Sequence, residues 1–262
     1  MYVTTDRHQT GRTKPAEAPQ SRFDFSPWGE LRPLPGEETA AAPRPADPVV
    51  PLWERVAAVL LLLLLSPVIL AVAIAILAEP PRGPVFYSQE RVGLDRRRRA
   101  RPDWGPYGED RRQTPGSGRS FNIVKFRTMV PNAERLTGPV WAQERDPRIT
   151  RVGQFLRLSR LDEIPQLVNV VQGHMRLIGP RPERPHFVTR LVEEIPEYAV
   201  RQKVPPGITG LAQVKRHYDA TVEDVRKKVQ YDVYYVTHRC GLLDLKILLA
   251  TIDVVLRRKG AR

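Results

Sequence analysis

Asp162 and Glu163 are adjacent carboxylates in a stretch crowded with arginine: Arg148, Arg151, Arg157 and Arg160. The pair sits just before an apolar pattern, Ile164, Leu167, Val168 and Val171, whose three- and four-residue spacing predicts a helix. Pro165 is tolerated there only in a first turn. A carboxylate at a helix start has an ordinary use as a cap for free backbone N–H groups. The arginines allow a second use. Two carboxylates among cations can bind a divalent metal, and one of them can attack phosphorus to form a phosphoryl-aspartyl intermediate. The arginines and metal would then neutralise charge on the transferred phosphate. Residue types and spacing leave both uses open.

Other cations are placed for similar work. Lys125 and Arg127 lie two residues apart in a strand-like run, Phe121 to Met129. Alternation puts both on one face, ~6.6 Å apart, which suits a diphosphate or a carboxylate network. An exposed basic strand fits the same pattern. Gly179-Pro180-Arg181-Pro182-Glu183 is a stiff turn that fixes the direction of Arg181. Pro205-Pro206-Gly207-Ile208-Thr209-Gly210 is a second, whose glycines allow close backbone approach. The sequence has no Gly-Lys-Ser/Thr phosphate loop, no Gly-x-Ser-x-Gly and no His-Glu-x-x-His. Its five histidines are scattered, and none has a convincing ligand partner.

These residues need elements to hold them. The chain has 262 residues, 41% of them hydrophobic, enough for a real core and against wholesale disorder. Lys plus Arg exceeds Asp plus Glu by 42 − 29 = 13, so anionic partners are expected: nucleic acid, acidic lipid or phosphorylated substrates. The single cysteine, Cys240, excludes an intrachain disulfide and a cysteine metal cluster, and fits a reducing compartment. Residues 1–50 read as a disordered, untethered tail, with Phe23, Phe25 and Trp28 as candidates for docking. Residues 51–79 read as a membrane segment, with a buried core helix the alternative: Val56 to Ala78 is apolar throughout except Ser66 and Pro67. Pro67 lacks an N–H and its ring clashes with the carbonyl of Leu63, while Ser66 can bond a carbonyl one turn back. The result is a kinked span or a hairpin that enters and leaves one leaflet. Basic residues flank both ends (Arg55, Arg82, Arg91), so charge does not strongly orient the segment.

Residues 80–262 read as one globular unit. Strands are expected at Val85–Val92 and Phe121–Met129, joined by a long insertion at 95–120 whose Arg96 to Arg99 and Arg101 suit anionic head groups or open solvent. Helices are expected up to Gly173, over Glu183–Tyr198, over Val222–His238, and over Leu242–Arg258. The last carries Leu245, Leu248, Leu249, Ile252 and Leu256 on one face, to pack on a core or to lie in a membrane interface.

In this order the motifs resemble the monotopic polyprenyl-phosphate phosphoglycosyl transferases, a bacterial sugar transferase family. The resemblance runs from about Arg55 to Leu256. It rests on Ser66-Pro67, Gly83-Pro84-Val85-Phe86, Gln89-Glu90-Arg91-Val92-Gly93, Lys125-Phe126-Arg127-Thr128-Met129, Asp146-Pro147-Arg148-Ile149-Thr150, Leu161-Asp162-Glu163-Ile164-Pro165-Gln166, Leu177-Ile178-Gly179-Pro180-Arg181-Pro182, Pro206-Gly207-Ile208-Thr209-Gly210 and Leu243-Asp244-Leu245-Lys246.

The resemblance implies an α/β (α+β) fold: a mostly helical catalytic domain with a short β-hairpin, on the cytoplasmic face of the bacterial inner membrane. A re-entrant helix broken at Ser66-Pro67 would anchor it. It implies Asp162 as the nucleophile toward the sugar-linked phosphate of a UDP-sugar, releasing UMP. A polyprenyl phosphate, typically undecaprenyl phosphate, would accept the phosphosugar, the first membrane step of exopolysaccharide or glycoconjugate synthesis. Glu163, with Asp162, would bind Mg²⁺. Arg157 would contact phosphate and Arg181 the nucleotide end. Lys125, Arg127, Arg148, Gln166 and Glu183 complete the candidate substrate-binding set. The implied partners are the two substrates and the bilayer, with nucleic acid not among them and a homo-oligomer left open.

The chain departs from the family pattern in places. Glu54, Arg55 and Ala58 stand where the family has Lys, Arg and Asp, so a polar contact is expected to be lost. His174 and Arg176 replace Asp and Ser in Gly-Asp-Met-Ser. A family member made inactive by those changes is one alternative. A membrane-tethered basic binding protein without catalysis is another; an intact Asp162-Glu163 pair argues against it, since a binding module has no need of one.

Overall fold

The computed structural model describes residues 49–95, 118–133, 146–215 and 222–257. The expected tail apart from its last two residues, Arg96 to Arg99, Arg101 and most of the 95–120 insertion lie outside the described residues.

The apolar run folds as two helices, α1 (Leu52–Leu64) and α2 (Ser66–Ala78), bent by 60° at their junction. The break has the local cause that the sequence suggests. Pro67 has no N–H for the Leu63 carbonyl, and the Ser66 hydroxyl donates to that carbonyl instead, at 2.7 Å. Each helix is 13 residues, about 20 Å long. Among the described residues no single helix is long and apolar enough to cross a membrane. Outward-facing side chains on the pair are large and apolar, including Leu52, Trp53, Leu60, Leu64, Leu70 and Ile74. The inward side chains join the globular core: Ala58 packs with Leu167, Val170 and Met175, and Val72 and Ile76 pack with Phe126 and Leu156.

Strands β1 (Phe86–Val92) and β2 (Ser120–Phe126) pair antiparallel, Phe86 opposite Phe126 and Val92 opposite Ser120. β2 ends three residues earlier than expected, and Met129 makes only an isolated bridge to Ile149. Helix α3 (Arg151–Ser159) is N-capped by Thr150, whose hydroxyl accepts from Gly153 N. It ends at Arg160, a left-handed residue with φ 59°. That residue splits the expected helical stretch. Leu161–Glu163 is a 3-10 turn, and α4 (Gln166–Val171) begins only after Pro165. Gly173, at φ 78°, stops the chain where the pattern says it should.

A second sheet escaped the sequence reading. Strands β3 (Arg176–Ile178) and β4 (Gly207–Thr209) pair in parallel. They touch closely where Gly179 meets Gly207: a Cβ on Gly207 would lie 2.0 Å from Gly179 N. Between them, α5 (Pro185–Glu194) and a 3-10 segment (Pro196–Lys203) replace the single helix expected over Glu183–Tyr198, broken at Ile195-Pro196. Helices α6 (Leu211–Lys215), α7 (Val222–His238) and α8 (Gly241–Leu256) complete the chain. Val188, Leu191, Tyr198, Val225 and Val229 close a second core beside Val92. On α8 the predicted apolar face (Leu245, Leu248, Leu249, Ile252, Leu256) points outward, while Leu243 and Ile247 are the buried ones. The helix is apolar on both sides, and among the described residues nothing covers its outer face.

Candidate active site

Asp162 and Glu163 sit on the 3-10 turn between α3 and α4, not on the first turn of a long helix. Asp162 is 7% exposed. Among the described residues its carboxylate has one ion-pair partner, the Lys125 ammonium 4.0 Å away. Burial is the main cause that raises the Asp162 carboxyl above the usual range; Lys125 pulls it back and Glu163 pushes it further up. Glu163 lives in the opposite electrostatic setting. Burial would raise its carboxyl too, but Arg181 and Lys125 outweigh burial and hold it well below the usual range. Arg181 clamps it with two hydrogen bonds, 2.6 and 3.1 Å, and Lys125 adds a third at 3.2 Å. The neighbours therefore have different tasks. Glu163 is a fixed anion in an ionic clamp, and Asp162 is a buried carboxylate with free lone pairs.

Lys125 reaches both from β2, and burial lowers its ammonium against the pull of Glu163. Arg181 arrives from the Pro180-Pro182 turn, and Glu163 raises its guanidinium despite burial. The turn itself is held. Gly207 N donates to Pro180 O at 3.0 Å, and Arg201 Nη2 donates to Arg181 O at 3.0 Å. Arg201 is anchored in turn by Asp232 on α7 at 2.7 Å. Arg157 on α3 donates from Nε to Thr128 Oγ1 at 3.0 Å. Burial lowers its guanidinium, and the field of Asp162, then that of Asp146, raises it.

The remaining predicted residues divide. Arg148 grips Asp146 through three side-chain hydrogen bonds, 2.8, 3.1 and 2.6 Å, and also donates to Ala133 O, so it lines the cationic side beside Arg157. Glu183 pairs with Arg91 at 3.2 Å, next to the turn that carries Arg181. Gln166 is fully buried, and among the described residues neither its amide nitrogen nor its oxygen has a hydrogen-bond partner. Arg127 is a correction. β2 ends at Phe126, so strand alternation with Lys125 does not continue to it. Its guanidinium donates to Ile76 O at 3.1 Å and Pro81 O at 2.9 Å, at the exit of α2. It ties the bent helix pair to the globular part and, among the described residues, makes no ion pair with Asp162 or Glu163. Arg91 is a residue the sequence reading passed over, although it lay inside a quoted motif. It bonds Glu183 and the Pro182 carbonyl, and Arg181 is among the charges that act on it.

Residues 48–100 and 105–258 match the family model described as bacterial sugar transferase. The chain belongs to that family. It is 42% identical over 206 residues to the UDP-N-acetylgalactosamine-undecaprenyl-phosphate N-acetylgalactosaminephosphotransferase of Aeromonas hydrophila, covering 79% of this chain and 43% of the relative. It is 37% identical to the UDP-glucose:undecaprenyl-phosphate glucose-1-phosphate transferase of Xanthomonas campestris pv. campestris, over 80% of this chain and 39% of that protein. A protein of the same name from Caulobacter vibrioides is 39% identical, over 79% and 69%. The chain thus spans about two-fifths of the length of the first two relatives.

Within this sugar transferase, the departures at the start of α1 and before β3 find partners. The contact expected to be lost at residue 54 is replaced. Glu54 accepts from Arg176 Nε at 2.7 Å and from Leu177 N at 2.9 Å, joining two of the unusual positions. Ala58 is buried in the core without need of a polar partner. His174 lies against the Phe121 ring, centroids 5.7 Å apart.

Among the described residues no group of three or more His, Cys, Asp or Glu is arranged to hold a metal. The donor set still suits magnesium, which commonly takes one or two carboxylates and completes its shell with water and substrate phosphate. Asp162 has open oxygens for this, and Glu163 lies beside it.

Proposed function

We propose that this sugar transferase moves a sugar 1-phosphate from a UDP-sugar to a polyprenyl phosphate, through a phosphosugar carried on Asp162. One observation carries the reading: a buried carboxylate with open lone pairs, flanked by Lys125 and by a neighbouring glutamate already neutralised by Arg181. The printed activities of the relatives support the substrate classes.

In the first half-reaction an Asp162 oxygen attacks the phosphorus that bears the sugar. The bond from that phosphorus to the bridging oxygen of the diphosphate breaks, and UMP leaves with the electron pair. In the second, a phosphate oxygen of the polyprenyl acceptor attacks the same phosphorus. The Asp162–phosphorus bond breaks, and the carboxylate is restored. Such transfer needs positioning and charge neutralisation above all. Lys125 and Arg157 stand beside Asp162 to take up charge on the transferred phosphate. Arg181, fixed by its turn, orients the nucleotide end while holding Glu163 ionised. Mg²⁺, bound by Asp162 and Glu163, would neutralise the donor diphosphate.

The bent apolar pair is read as a hairpin that enters and leaves one leaflet, with both ends on the cytoplasmic face of the inner membrane. The 60° bend and the outward apolar side chains support this. The outer face of α8, apolar and uncovered among the described residues, suits the same interface. An amphiphilic acceptor explains why the catalytic residues are tied to such a segment. A binding protein without catalysis has no use for a buried Asp162 held only by a long ion pair with Lys125, which costs desolvation.

The test is UMP release. Full-length protein in lipid nanodiscs is given Mg²⁺, undecaprenyl phosphate and a panel of UDP-sugars. Release with at least one donor is expected, and silence across the panel would contradict the reading.

A further inference from the structure

The contacts of Glu54 extend beyond anchoring. Glu54 lies in the first turn of α1, in the apolar hairpin, yet it is 1% exposed and faces the globular part. It receives Arg176 and the backbone N–H of Leu177, the first two residues of β3. Arg176 also reaches Asp244 on α8 at 3.4 Å, and Asp244 accepts the Tyr235 hydroxyl at 2.8 Å. Two carboxylates bridged by Arg176, Glu54 and Asp244, therefore link α1, β3, α7 and α8.

β3 leads into the site without a loose link. Gly179 N donates to Thr209 O at 2.8 Å, and Pro180 and Pro182 stiffen the turn that ends in the Arg181–Glu163 clamp. Only four residues separate Arg176 from Arg181. On its other flank α1 packs Ala58 against Leu167 and Val170 of α4, the helix that follows Asp162 and Glu163. The first helix of the hairpin thus touches both arms of the acidic site.

We infer that Glu54 is a positioning residue for the transfer reaction, setting Arg181 against Glu163 through Arg176 and β3. The hairpin is then a strut of the active site as well as an anchor. A charge so deeply buried is stable only when paired, so its loss leaves Arg176 with Asp244 alone and frees the start of β3. The inference rests on the transferase reading above, and its test separates the two.

Full-length wild type, Glu54→Ala, Glu54→Gln, Arg176→Ala and the double alanine variant are compared in nanodiscs. Four quantities are measured: single-turnover UMP release, membrane flotation, thermal midpoint, and amide exchange at Gly179 and Gly207. Glu54→Ala should slow UMP release by about tenfold or more, toward the about hundredfold that an ångström of misplacement costs. Flotation should be unchanged. Exchange at the two glycines should rise. Glu54→Gln keeps an oxygen for Leu177 N and should recover part of the rate. The double variant should be no slower than Arg176→Ala alone, since both remove the same tie. The inference is overturned if Glu54→Ala keeps its rate within about twofold of an active wild type. Unchanged glycine exchange in that variant overturns it too, as does a rate loss that only matches the loss of folded or membrane-bound protein. If wild type releases no UMP while Glu54→Ala still loosens the turn, the transferase reading has failed and the tie to Arg181 stands.

Discussion

Replacing Arg181 by methionine removes both arms of the clamp on Glu163 and leaves that carboxylate with Lys125. Breaking a buried ion pair by deleting one partner costs about 3–5 kcal/mol. The Arg181 side chain keeps 33% of its surface open, and Lys125 remains in place, so the lower end, about 3 kcal/mol, applies. For a folded unit of roughly 200 residues each kcal/mol moves the thermal midpoint about 2–4 °C, giving a fall of about 6–12 °C at neutral pH. The pH dependence has a definite sign. Glu163 is held well below its ordinary value of 4.5 in the folded chain. Its ionic stabilisation is therefore complete above about pH 4.5 and is lost as pH falls through the lower, folded value. The gap between wild type and Arg181→Met should be widest near pH 7 and should narrow below about pH 4.5. Thermal unfolding of both proteins in the same nanodiscs, from pH 7 downward, measures it. A midpoint within about 2 °C of wild type at pH 7, or a gap that widens in acid, would refute the clamp.

Lys125→Met should move the acid limb of phosphosugar-adduct formation to higher pH. Lys125 pulls the Asp162 carboxyl down against burial, and without it the carboxyl rises further; a limb that stays or moves to lower pH would remove Lys125 from this role. Pro67→Leu with Ser66→Ala should restore a continuous helix over Leu52 to Ala78, about 40 Å long and enough to span. Cysteine labelling near residues 50 and 84 should then report opposite sides of the membrane, against one side for wild type. Arg127→Met should weaken the tie between α2 and the globular part, lowering the thermal midpoint while donor KM stays within about twofold; a large rise in KM would return Arg127 to the substrate.

Features with a local cause were legible in the sequence. The break at Ser66-Pro67 needs only a missing N–H and a nearby hydroxyl. The stop at Gly173 and the close approach at Gly207 need only the absence of a Cβ. Asp162, Glu163, Lys125 and Arg181 were singled out by charge and by their stiff surroundings, and they meet. What failed depends on partners far along the chain or on where an element stops. Alternation placed Arg127 beside Lys125 because nothing local marks the end of β2 at Phe126. Strands β3 and β4, three residues each, are too short to show periodicity. The Arg160 left-handed residue, which turns a helix start into a 3-10 turn, carries no sequence signal because arginine rarely adopts it. The Glu54–Arg176 pair joins residues 122 apart, and each alone looked only like a departure from the family pattern. The α8 stripe was read correctly as a face, but periodicity cannot say which side of a helix faces protein.

The most direct measurement is the intact mass of the full-length protein after incubation with a productive UDP-sugar and Mg²⁺, without acceptor. Wild type should gain the mass of one phosphosugar, lose it when undecaprenyl phosphate is added, and release one UMP per adduct. Asp162→Asn should show neither adduct nor UMP. Retained turnover or a retained adduct in that variant would contradict the account.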